Sequence, residues 1–324
     1  MVESASLPVG KPLRMVFCGT PEFAVPSLRT FTSLSDFEIA GVFTQPDRPR
    51  GRGREVSFSP VKEVALAENL SVHQPPKIRA PEIEAKLRAL APDVIAIIAY
   101  GQIIPERLLN IPRLGWINLH ASLLPKYRGA APIAWAIANG ESRTGNTTMR
   151  IDAGMDTGEM LLQDELAIGS DETAPELTVR LAESGAKLMV ETLRGLAAGN
   201  LSPRPQDHSA ATYAPMLKRE DGQIDWARPA QEIYHRMRGF APWPGAYTDF
   251  RGQTCHLWGH PALNEPSSDP PGTLALKSGY LRVTCGAATE LQLTHVKLEG
   301  RKRISATEFA NGARLEPGEH FGRS

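Results

Sequence analysis

The sequence predicts an α/β protein in which a mainly parallel sheet is followed by a small closed β-barrel. Three observations predict this fold class. Short apolar runs alternate with helical patterns through the first 199 residues, which is typical of strands buried between layers of helices. Residues 200–215 are polar and proline-rich. Beyond them, turn residues separate several short strands, as in a barrel.

The length and composition are those of a two-domain globular protein. With 324 residues and 41% hydrophobic content, the chain can bury a sizeable core in each domain. The 36 basic and 36 acidic residues balance, so a nucleic-acid partner would have to be bound by local basic patches. We expect a disordered extension at 1–13, a catalytic domain at 14–199, a linker at 200–215 and a C-terminal domain at 216–324.

The cysteines and the N-terminus favour a cytoplasmic protein. Cys18, Cys255 and Cys285 are odd in number and far apart, which argues against a disulfide framework and against metal-site spacing. A reducing compartment is the simplest explanation. The N-terminal residues lack the apolar core of a secretory signal, and no apolar run reaches the roughly 18 residues of a membrane span. We therefore expect a protein that does not enter membranes. Nothing in the sequence demands more than a monomer, so a monomer is the expected state.

The first strand of the predicted sheet covers residues 14–19 and ends in a glycine. We expect Thr20 to cap the helix that follows. The turn lacks the further glycines of the dinucleotide-binding fingerprint, which argues against an NAD-dependent dehydrogenase. Residues 37–44 form the second strand, and residues 93–101, the most apolar run, form the centre of the sheet.

A proline- and arginine-rich segment, residues 45–55, follows the second strand. Its two prolines, two glycines and four arginines predict a long exposed loop without regular structure. Composition leaves two interpretations open. One is a solvated surface loop, and the other is a mobile arm whose arginines contact phosphates. The arginines are Arg48, Arg50, Arg52 and Arg54.

The most informative stretch covers residues 115–156. Asn118 and His120 alternate with aliphatic residues, so a strand places the amide and the imidazole on one face. Pro125 ends this strand at the carboxyl edge of the sheet, where open parallel sheets bind ligands. Two further strands are predicted at 144–152 and 159–168, and we expect the Asp-Gly turn between them to join them as a hairpin.

Asn118, His120 and Asp156 provide the groups that transfer of an acyl group to an amine requires. His120 can move protons near neutral pH, and the Asn118 amide can donate to the oxyanion of a tetrahedral state. Asp156, in the acidic turn of the hairpin, can orient His120 or raise the basicity of His120 or of a bound water. No metal and no covalent nucleophile is needed. The residues alone indicate an acyl or one-carbon transferase.

The C-terminal part of the chain follows a long amphipathic helix at 173–198 and the linker. A barrel with a basic stripe fits nucleic-acid binding, although such a cluster is also typical of a solvated face. The predicted helix covers 229–240, and the strands cover 247–250, 254–259, 272–276, 281–285 and 291–299. The basic cluster consists of Lys297, Arg301, Lys302 and Arg303.

These motifs resemble the folate-dependent formyltransferase family. The family shares Asn-x-His at 118–120, Ser-Leu-Leu-Pro at 122–125 and the acidic turn at 152–158. The resemblance spans roughly residues 14–310. Further segments are similar to the tRNA-specific branch of the family: 17–25, 44–49, 51–53, 60–62, 128–133, 224–226 and 242–244.

The resemblance implies a Rossmann-like catalytic domain and an OB-like β-barrel. It implies that 10-formyltetrahydrofolate donates a formyl group to the amine of methionyl-initiator-tRNA, with Asn118, His120 and Asp156 as catalytic residues. The arginine-rich segment would enter the acceptor-stem region, and the basic barrel would hold the tRNA backbone. The implied folate-contacting residues are Ser122, Leu123, Leu124 and Pro125, with Tyr100 and Gly101 as neighbours.

Two residues depart from the family pattern. Arg50 stands where a small residue is frequent, and Asn146 stands where an aliphatic residue is common. Neither belongs to the catalytic pattern.

Two other functions compete with tRNA formylation. The barrel and the arginine-rich segment argue against formylation of a small amine such as glycinamide ribonucleotide or an amino sugar. The intact Asn118, His120 and Asp156 argue against an RNA-binding module on an inactive transferase scaffold.

Overall fold

The computed structural model describes residues 11–50, 55–262, 266–316 and 318–322. Most of the predicted N-terminal extension lies outside these ranges. The chain divides into two compact units, and two short segments from within the predicted catalytic domain, 14–199, belong to the second unit. The first unit is Met1–Pro132, Arg143–Ala167 and Thr178–Ala214, and the second is Ile133–Ser142, Ile168–Leu177 and Pro215–Ser324.

The first unit is built on a seven-stranded sheet of order β5-β2-β1-β6-β7-β8-β9. Its strands are β1 Leu13–Gly19, β2 Phe37–Phe43, β5 Val72–His73, β6 Val94–Ile98, β7 Trp116–His120, β8 Arg143–Arg150 and β9 Met160–Ala167, and a separate ribbon consists of β3 Arg48–Arg50 and β4 Glu55–Ser57. The helices of this part of the chain are α1 Val25–Thr32, α2 Pro60–Ala67, α3 Pro81–Leu90, α4 Glu106–Leu109, α5 Pro132–Ala138 and α6 Ala174–Ala197.

Strand direction in this sheet confirms the predicted α/β class. The first five strands in spatial order are parallel, whereas β8 and β9 are antiparallel to their neighbours. The predicted central strand, β6, is the fourth of seven. Its five residues are all buried and alternate between two cores on opposite faces of the sheet. Burial on both faces explains why this strand reads as a continuous apolar run.

The predicted cap of the first helix is wrong. A short 3-10 turn at Glu22–Ala24 precedes α1, and neither element has a side-chain cap. The Thr20 hydroxyl instead donates to the Tyr100 carbonyl at 3.2 Å and accepts from the Gln45 backbone N–H at 3.3 Å. Tertiary contacts at the carboxyl edge therefore occupy the group that local sequence assigns to helix capping.

The prediction that residues 45–55 form no regular structure is also wrong in part. Strands β3 and β4 pair antiparallel, with Arg48 opposite Ser57 and Arg50 opposite Glu55. A two-stranded ribbon has only edge strands, which tolerate a proline such as Pro49. Residues 51–54, which connect β3 to β4 in the sequence, lie outside the described residues.

The segment predicted as a linker runs along the first unit. The Arg204 and Met160 backbones exchange two hydrogen bonds of 2.8 Å. The Arg128 N–H donates to the Thr212 carbonyl at 2.9 Å, and the Arg128 carbonyl accepts from the Ala214 N–H at 2.7 Å. The domain boundaries stay a prediction, but this polar segment has fixed backbone partners at both ends.

The second unit contains an antiparallel sheet of order β10-β11-β14-β13-β12, with β15 paired to β14. Within the described ranges no ladder joins β10 to β12. In its core, the Phe321 ring stacks with the rings of Trp226 and Phe309. The Phe250 ring meets Phe309 and Phe321 edge to face. Its elements are α7 Ala230–Gly239, β10 Tyr247–Phe250, β11 Gln253–Pro261, β12 Leu274–Lys277, β13 Tyr280–Thr284, β14 Glu290–Leu298, β15 Ile304–Ser305 and α8 Ala306–Ala313.

Asn146, which departs from the family pattern, joins β8 to α6. Its side chain is fully buried, and Nδ2 donates to the Leu181 carbonyl at 3.0 Å and to Ser184 Oγ at 2.9 Å. Its backbone N–H donates to Asp164 Oδ1 at 2.7 Å. At this position the buried Asn146 amide therefore makes hydrogen bonds, shielded from water, where an aliphatic residue would make apolar contacts.

We expect Asn146→Ala to lower the free energy of unfolding of the first unit by about 2–4 kcal/mol, because it removes buried hydrogen bonds and leaves a cavity. Urea titration followed by circular dichroism measures the change. Asn200→Ala is the matched control, since Asn200 is exposed and its loss should cost less than about 0.5 kcal/mol. Equal stability of the two variants would contradict the role of Asn146.

Candidate active site

The carboxyl edge of the first sheet is held together at the Tyr100 carbonyl. This oxygen accepts from Thr20 Oγ1 at 3.2 Å and from Gln45 Nε2 at 3.1 Å. The loops that follow β1, β2 and β6 therefore meet at one atom. The Tyr100 ring itself is 1% exposed, and burial raises the pKa of its hydroxyl. At this edge Tyr100 presents its backbone, and exposed Gly101 follows it in the left-handed region at φ +82°.

The His120 imidazole is buried, and a backbone carbonyl fixes its orientation. Its Nε2 lies 2.9 Å from the Tyr127 carbonyl oxygen. Because a carbonyl only accepts, Nε2 carries the proton, and the neutral ring has its lone pair at Nδ1. Nδ1 is 3.7 Å from Asp156 Oδ2, beyond hydrogen-bond length. The hydrogen bond that orients the ring is therefore with Tyr127. The roles predicted for Asp156, to orient His120 or to raise the basicity of His120 or of a bound water, stay predictions.

Asp156 occupies a tight turn that fixes its carboxylate. Its backbone lies in the left-handed region at φ +52°, which aspartate tolerates better than most residues. Oδ2 accepts from the Gly129 N–H at 2.8 Å. Before it in the turn, the Asp152 carboxylate accepts from Thr157 Oγ1 at 2.8 and 2.9 Å. A Cβ on Gly158 would lie 1.9 Å from a carbonyl oxygen of β8, so only glycine lets the turn approach that strand.

Asn118 lies two residues before His120 on β7, and alternation along the strand puts both side chains on one face. The opposite face carries Ile117 and Leu119, which are buried in the core beneath α6. The Asn118 side chain is half-buried, and within the described part of the chain it has no hydrogen-bond partner. The structure thus brings together the three residues predicted to be catalytic, with the amide of Asn118 on the same face of β7 as the His120 ring.

The Ser-Leu-Leu-Pro segment is held by polar side chains that sequence reasoning missed. The Thr147 hydroxyl donates to the Ser122 carbonyl at 2.7 Å and accepts from the Leu124 N–H at 3.1 Å. Gln163 Nε2 donates to the Leu124 carbonyl at 3.0 Å and to Thr147 Oγ1 at 2.9 Å. Both residues lie on the β8–β9 hairpin, and no motif in the sequence marks them.

Within this segment, the side chains differ in what they can offer a ligand. Ser122 is fully buried, and its hydroxyl donates to the Lys126 carbonyl at 2.6 Å. Leu124 is also buried, and its peptide bond with Pro125 is cis. Leu123 and Pro125 are half-buried, so these two retain accessible apolar surface.

The base of the arginine-rich ribbon is anchored to the first unit through Asp47. Lys62 Nζ forms an ion pair with Asp47 Oδ2, and Gln74 Nε2 donates to Asp47 Oδ1 at 2.8 Å. Hydrogen bonds from Lys62 and then Gln74 lower the pKa of Asp47. Arg48 is exposed. The side chain of Arg50, and the whole of Arg52 and Arg54, lie outside the described residues.

The second unit carries an exposed basic surface near the end of β14. Arg303 lies 4.2 Å from the centroid of the Trp258 ring, and its Nη2 donates to His295 Nδ1 at 3.1 Å. His256 lies opposite Lys297 in the sheet, and burial, followed by the charge of Lys297, lowers the pKa of His256. All four predicted basic residues are exposed: Lys297, Arg301, Lys302 and Arg303.

Neither a metal centre nor a membrane span is found in the part of the chain that the structure describes. Its His, Cys, Asp and Glu residues form no group of three or more that could hold a metal ion. None of its helices has both the length and the apolarity that crossing a bilayer requires.

Comparison with known proteins agrees with the fold and the motifs. The formyl transferase family model matches residues 13–193, and the model of the formyl transferase C-terminal domain matches residues 216–314. The methionyl-tRNA formyltransferase of Solibacter usitatus is 53% identical over 310 residues, which cover 96% of this chain and 99% of that protein. The enzyme of Koribacter versatilis is also 53% identical, over 95% of this chain and 98% of its own length.

This chain belongs to the methionyl-tRNA formyltransferase family. The resemblance seen in the sequence is thereby confirmed, and the protein is an enzyme that transfers formyl groups.

Solved structures of more distant proteins share the fold. The sugar 3N-formyltransferase WlaRD, determined with dTDP and 5-N-formyl-THF, superposes with a TM-score of 0.67 at 18% identity, covering 90% of this chain and 100% of that one. An N-formyltransferase from Helicobacter canadensis, in complex with folinic acid and dTDP-3-aminofucose, superposes with a TM-score of 0.65 at 17% identity, covering 87% and 98%. At this identity the likeness shows the fold alone.

Proposed function

We propose that the protein transfers a formyl group from 10-formyltetrahydrofolate to the amino group of methionyl-initiator-tRNA. The observation that carries the proposal is the His120–Asp156 pair at the carboxyl edge of the sheet. There the imidazole keeps its Nδ1 lone pair on the side of the carboxylate, 3.7 Å away. A base beside an anion suits deprotonation of an amine. Relatives that are 53% identical over nearly their full length are methionyl-tRNA formyltransferases, which supports this acceptor.

The donor supplies an activated formyl carbon, and the residues present fit such a co-substrate. Asn118 offers a half-buried amide with no partner in the described part of the chain, which suits the developing oxyanion. Gly101 at φ +82° exposes backbone without a side chain in the way. Leu123 and Pro125 offer accessible apolar surface on the other loop. Of the residues predicted to contact the folate, Gly101, Leu123 and Pro125 are therefore the ones proposed to contact it directly.

In the proposed reaction, the methionyl ammonium first loses one proton to water, and His120 Nδ1 then takes a second proton from the neutral amine as its nitrogen attacks the formyl carbon. The Asn118 Nδ2–H donates to the oxygen, which becomes negative when the carbon is tetrahedral. Asp156 Oδ2 stabilises the imidazolium that forms. His120 then returns the proton to the departing folate nitrogen as its bond to carbon breaks. A new amide bond replaces the old one, and the proton count is balanced without a metal.

The acceptor's charge explains the two basic regions. Arginines of the ribbon, Arg48 to Arg54, are proposed to contact phosphates near the acceptor end, where a guanidinium can bind two oxygens at once. The exposed basic surface of the second unit is proposed to contact the tRNA backbone. With formal net charge zero over the whole chain, attraction for RNA depends on these local patches. We further propose that the protein acts as a cytoplasmic monomer.

The decisive experiment measures formyl transfer from 10-formyltetrahydrofolate to three acceptors in parallel: methionyl-initiator-tRNA, methionyl-elongator-tRNA and glycinamide ribonucleotide. We expect transfer to the initiator alone. Transfer to glycinamide ribonucleotide, with none to either tRNA, would contradict the proposed acceptor and leave the site chemistry standing.

For His120, we expect His120→Gln to fold normally and to lower turnover by about 10²–10⁴-fold, the usual contribution of general acid–base catalysis. A glutamine amide can still donate to the Tyr127 carbonyl, but it provides no base at the position of Nδ1. Asp156→Asn should also lower turnover strongly, because it removes the charge and keeps the shape. Thermal melting checks folding, and rates within twofold of wild type for either variant would refute the role assigned to that residue.

For the arginine-rich ribbon, we expect Arg48→Ala and Arg52→Ala to raise the KM for methionyl-tRNA and to leave the KM for the donor unchanged. Each should also reduce the slope of log affinity against log salt by about 0.7–1, as expected for one lost phosphate contact. Arg88→Ala is the matched control, because Arg88 is an exposed arginine on α3 paired with Glu84. Unchanged tRNA affinity and an unchanged salt slope would show that the ribbon does not contact phosphates.

A further inference from the structure

Gln206 is a buried polar residue in the segment predicted to be a linker. Its side chain is 6% exposed, although the segment around it is mostly polar. It lies between the two family matches, which end at residue 193 and resume at residue 216, so neither family model covers it. Its contacts lead to the turn that carries Asp156.

The Gln206 side chain uses its full hydrogen-bonding capacity. Nε2 donates one hydrogen to the Asp156 carbonyl and the other to the Gly158 carbonyl, each at 2.8 Å. Oε1 accepts from Arg128 Nε at 3.0 Å and from Arg128 Nη2 at 2.6 Å. Because the guanidinium only donates, it must face Oε1, and the amide has one orientation that satisfies all four bonds. Two carbonyls of the turn are thereby held by a single nitrogen.

The hydrogen bonds of Gln206 and Arg128, together with that of Gly129, form a closed circuit of contacts that includes Asp156. Arg128 is 2% exposed, and it directly precedes Gly129, whose N–H donates to Asp156 Oδ2 at 2.8 Å. One side of the circuit thus holds the carboxylate, and the other side holds the backbone of the same residue through Gln206. Asp156 sits at φ +52°, a conformation that persists when surrounding contacts determine it.

We infer that Gln206 is a positioning residue for formyl transfer, which acts by fixing the backbone of Asp156 so that its carboxylate faces His120 Nδ1. The inference rests on the role proposed above for Asp156. Without the two donated bonds, the turn would relax and Oδ2 would lose its fixed distance from the imidazole. Displacements of about 1 Å at a catalytic group can cost on the order of 100-fold in rate.

A purely structural role for Gln206 would have different effects on stability and on rate. The 200–215 segment is also held by backbone bonds of Arg204 and Ala214, so it does not depend on Gln206 alone to stay in place. If Gln206 only stabilised this segment, its loss would lower thermal stability and would leave the rate of the folded enzyme unchanged.

The first test compares Gln206→Glu and Gln206→Ala with wild type in formyl transfer to methionyl-initiator-tRNA. The glutamate still accepts from Arg128 but cannot donate to the two carbonyls. We expect kcat to fall roughly 10–100-fold in both variants, with the KM of each substrate within about twofold of wild type. Thr192→Val is the matched control, because it removes a fully buried hydrogen bond to Thr148 in the same unit, and its kcat should stay within twofold. A wild-type kcat for Gln206→Glu would overturn the inference.

The second test places Gln206→Ala in the Asp156→Asn background, using single-turnover rates to follow slow transfer. A residue that acts through the Asp156 carboxylate should have no more than about a twofold effect once that charge is gone, because effects within one unit are not additive. A full additional tenfold loss would overturn the inference. Failure of the two proposals can be told apart. A wild-type rate for Asp156→Asn refutes the role of Asp156 itself, whereas a slow Asp156→Asn with an unaffected Gln206→Glu refutes only the positioning by Gln206.

Discussion

The hydrogen bond from His120 Nε2 to the Tyr127 carbonyl, 2.9 Å long, is the interaction on which the candidate site depends. It determines which nitrogen of a neutral imidazole carries the proton, and hence that the basic nitrogen faces Asp156. It also requires that the loop after β7 return to its own strand, because Tyr127 lies only seven residues beyond His120. Loss of this hydrogen bond would leave the same residues in the sequence without an Nδ1 lone pair that faces Asp156.

That loop is held by polar groups drawn from distant parts of the chain. Thr147 and Gln163 on the β8–β9 hairpin hold the Ser122 and Leu124 carbonyls, and Gly129 supplies an N–H to Asp156. Most of these donors and acceptors are buried or half-buried, where an unsatisfied partner costs about 1–3 kcal/mol. A network of this kind stays in a single arrangement because any alternative leaves several groups unpaired.

The two faces of β7 differ: one face packs into the apolar core, and the other carries Asn118 and His120. Ile117 and Leu119 are buried against the leucines of α6, and their apolar area fixes the register of the strand. A shift by one residue would exchange its two faces, and would put Asn118 and His120 into the apolar core. Hydrophobic burial on one face therefore guarantees the position of the reactive groups on the other.

Much of this protein follows from the sequence by itself. Alternating or continuous apolar runs determine the strands, since burial on one or both faces leaves a local pattern. The motif around Asn118, His120 and Asp156 identifies the formyltransferase family. The sequence did not reveal that Thr20 binds the Tyr100 carbonyl, that Arg48–Arg50 forms a ribbon with β4, or that Tyr127 orients His120. Gln206 likewise looked like part of a polar linker. Only the tertiary structure decides these points. A hydrogen bond between residues 50 or 80 positions apart depends on how the fold brings distant segments together. A polar side chain also produces no periodic sequence pattern that would identify its partner.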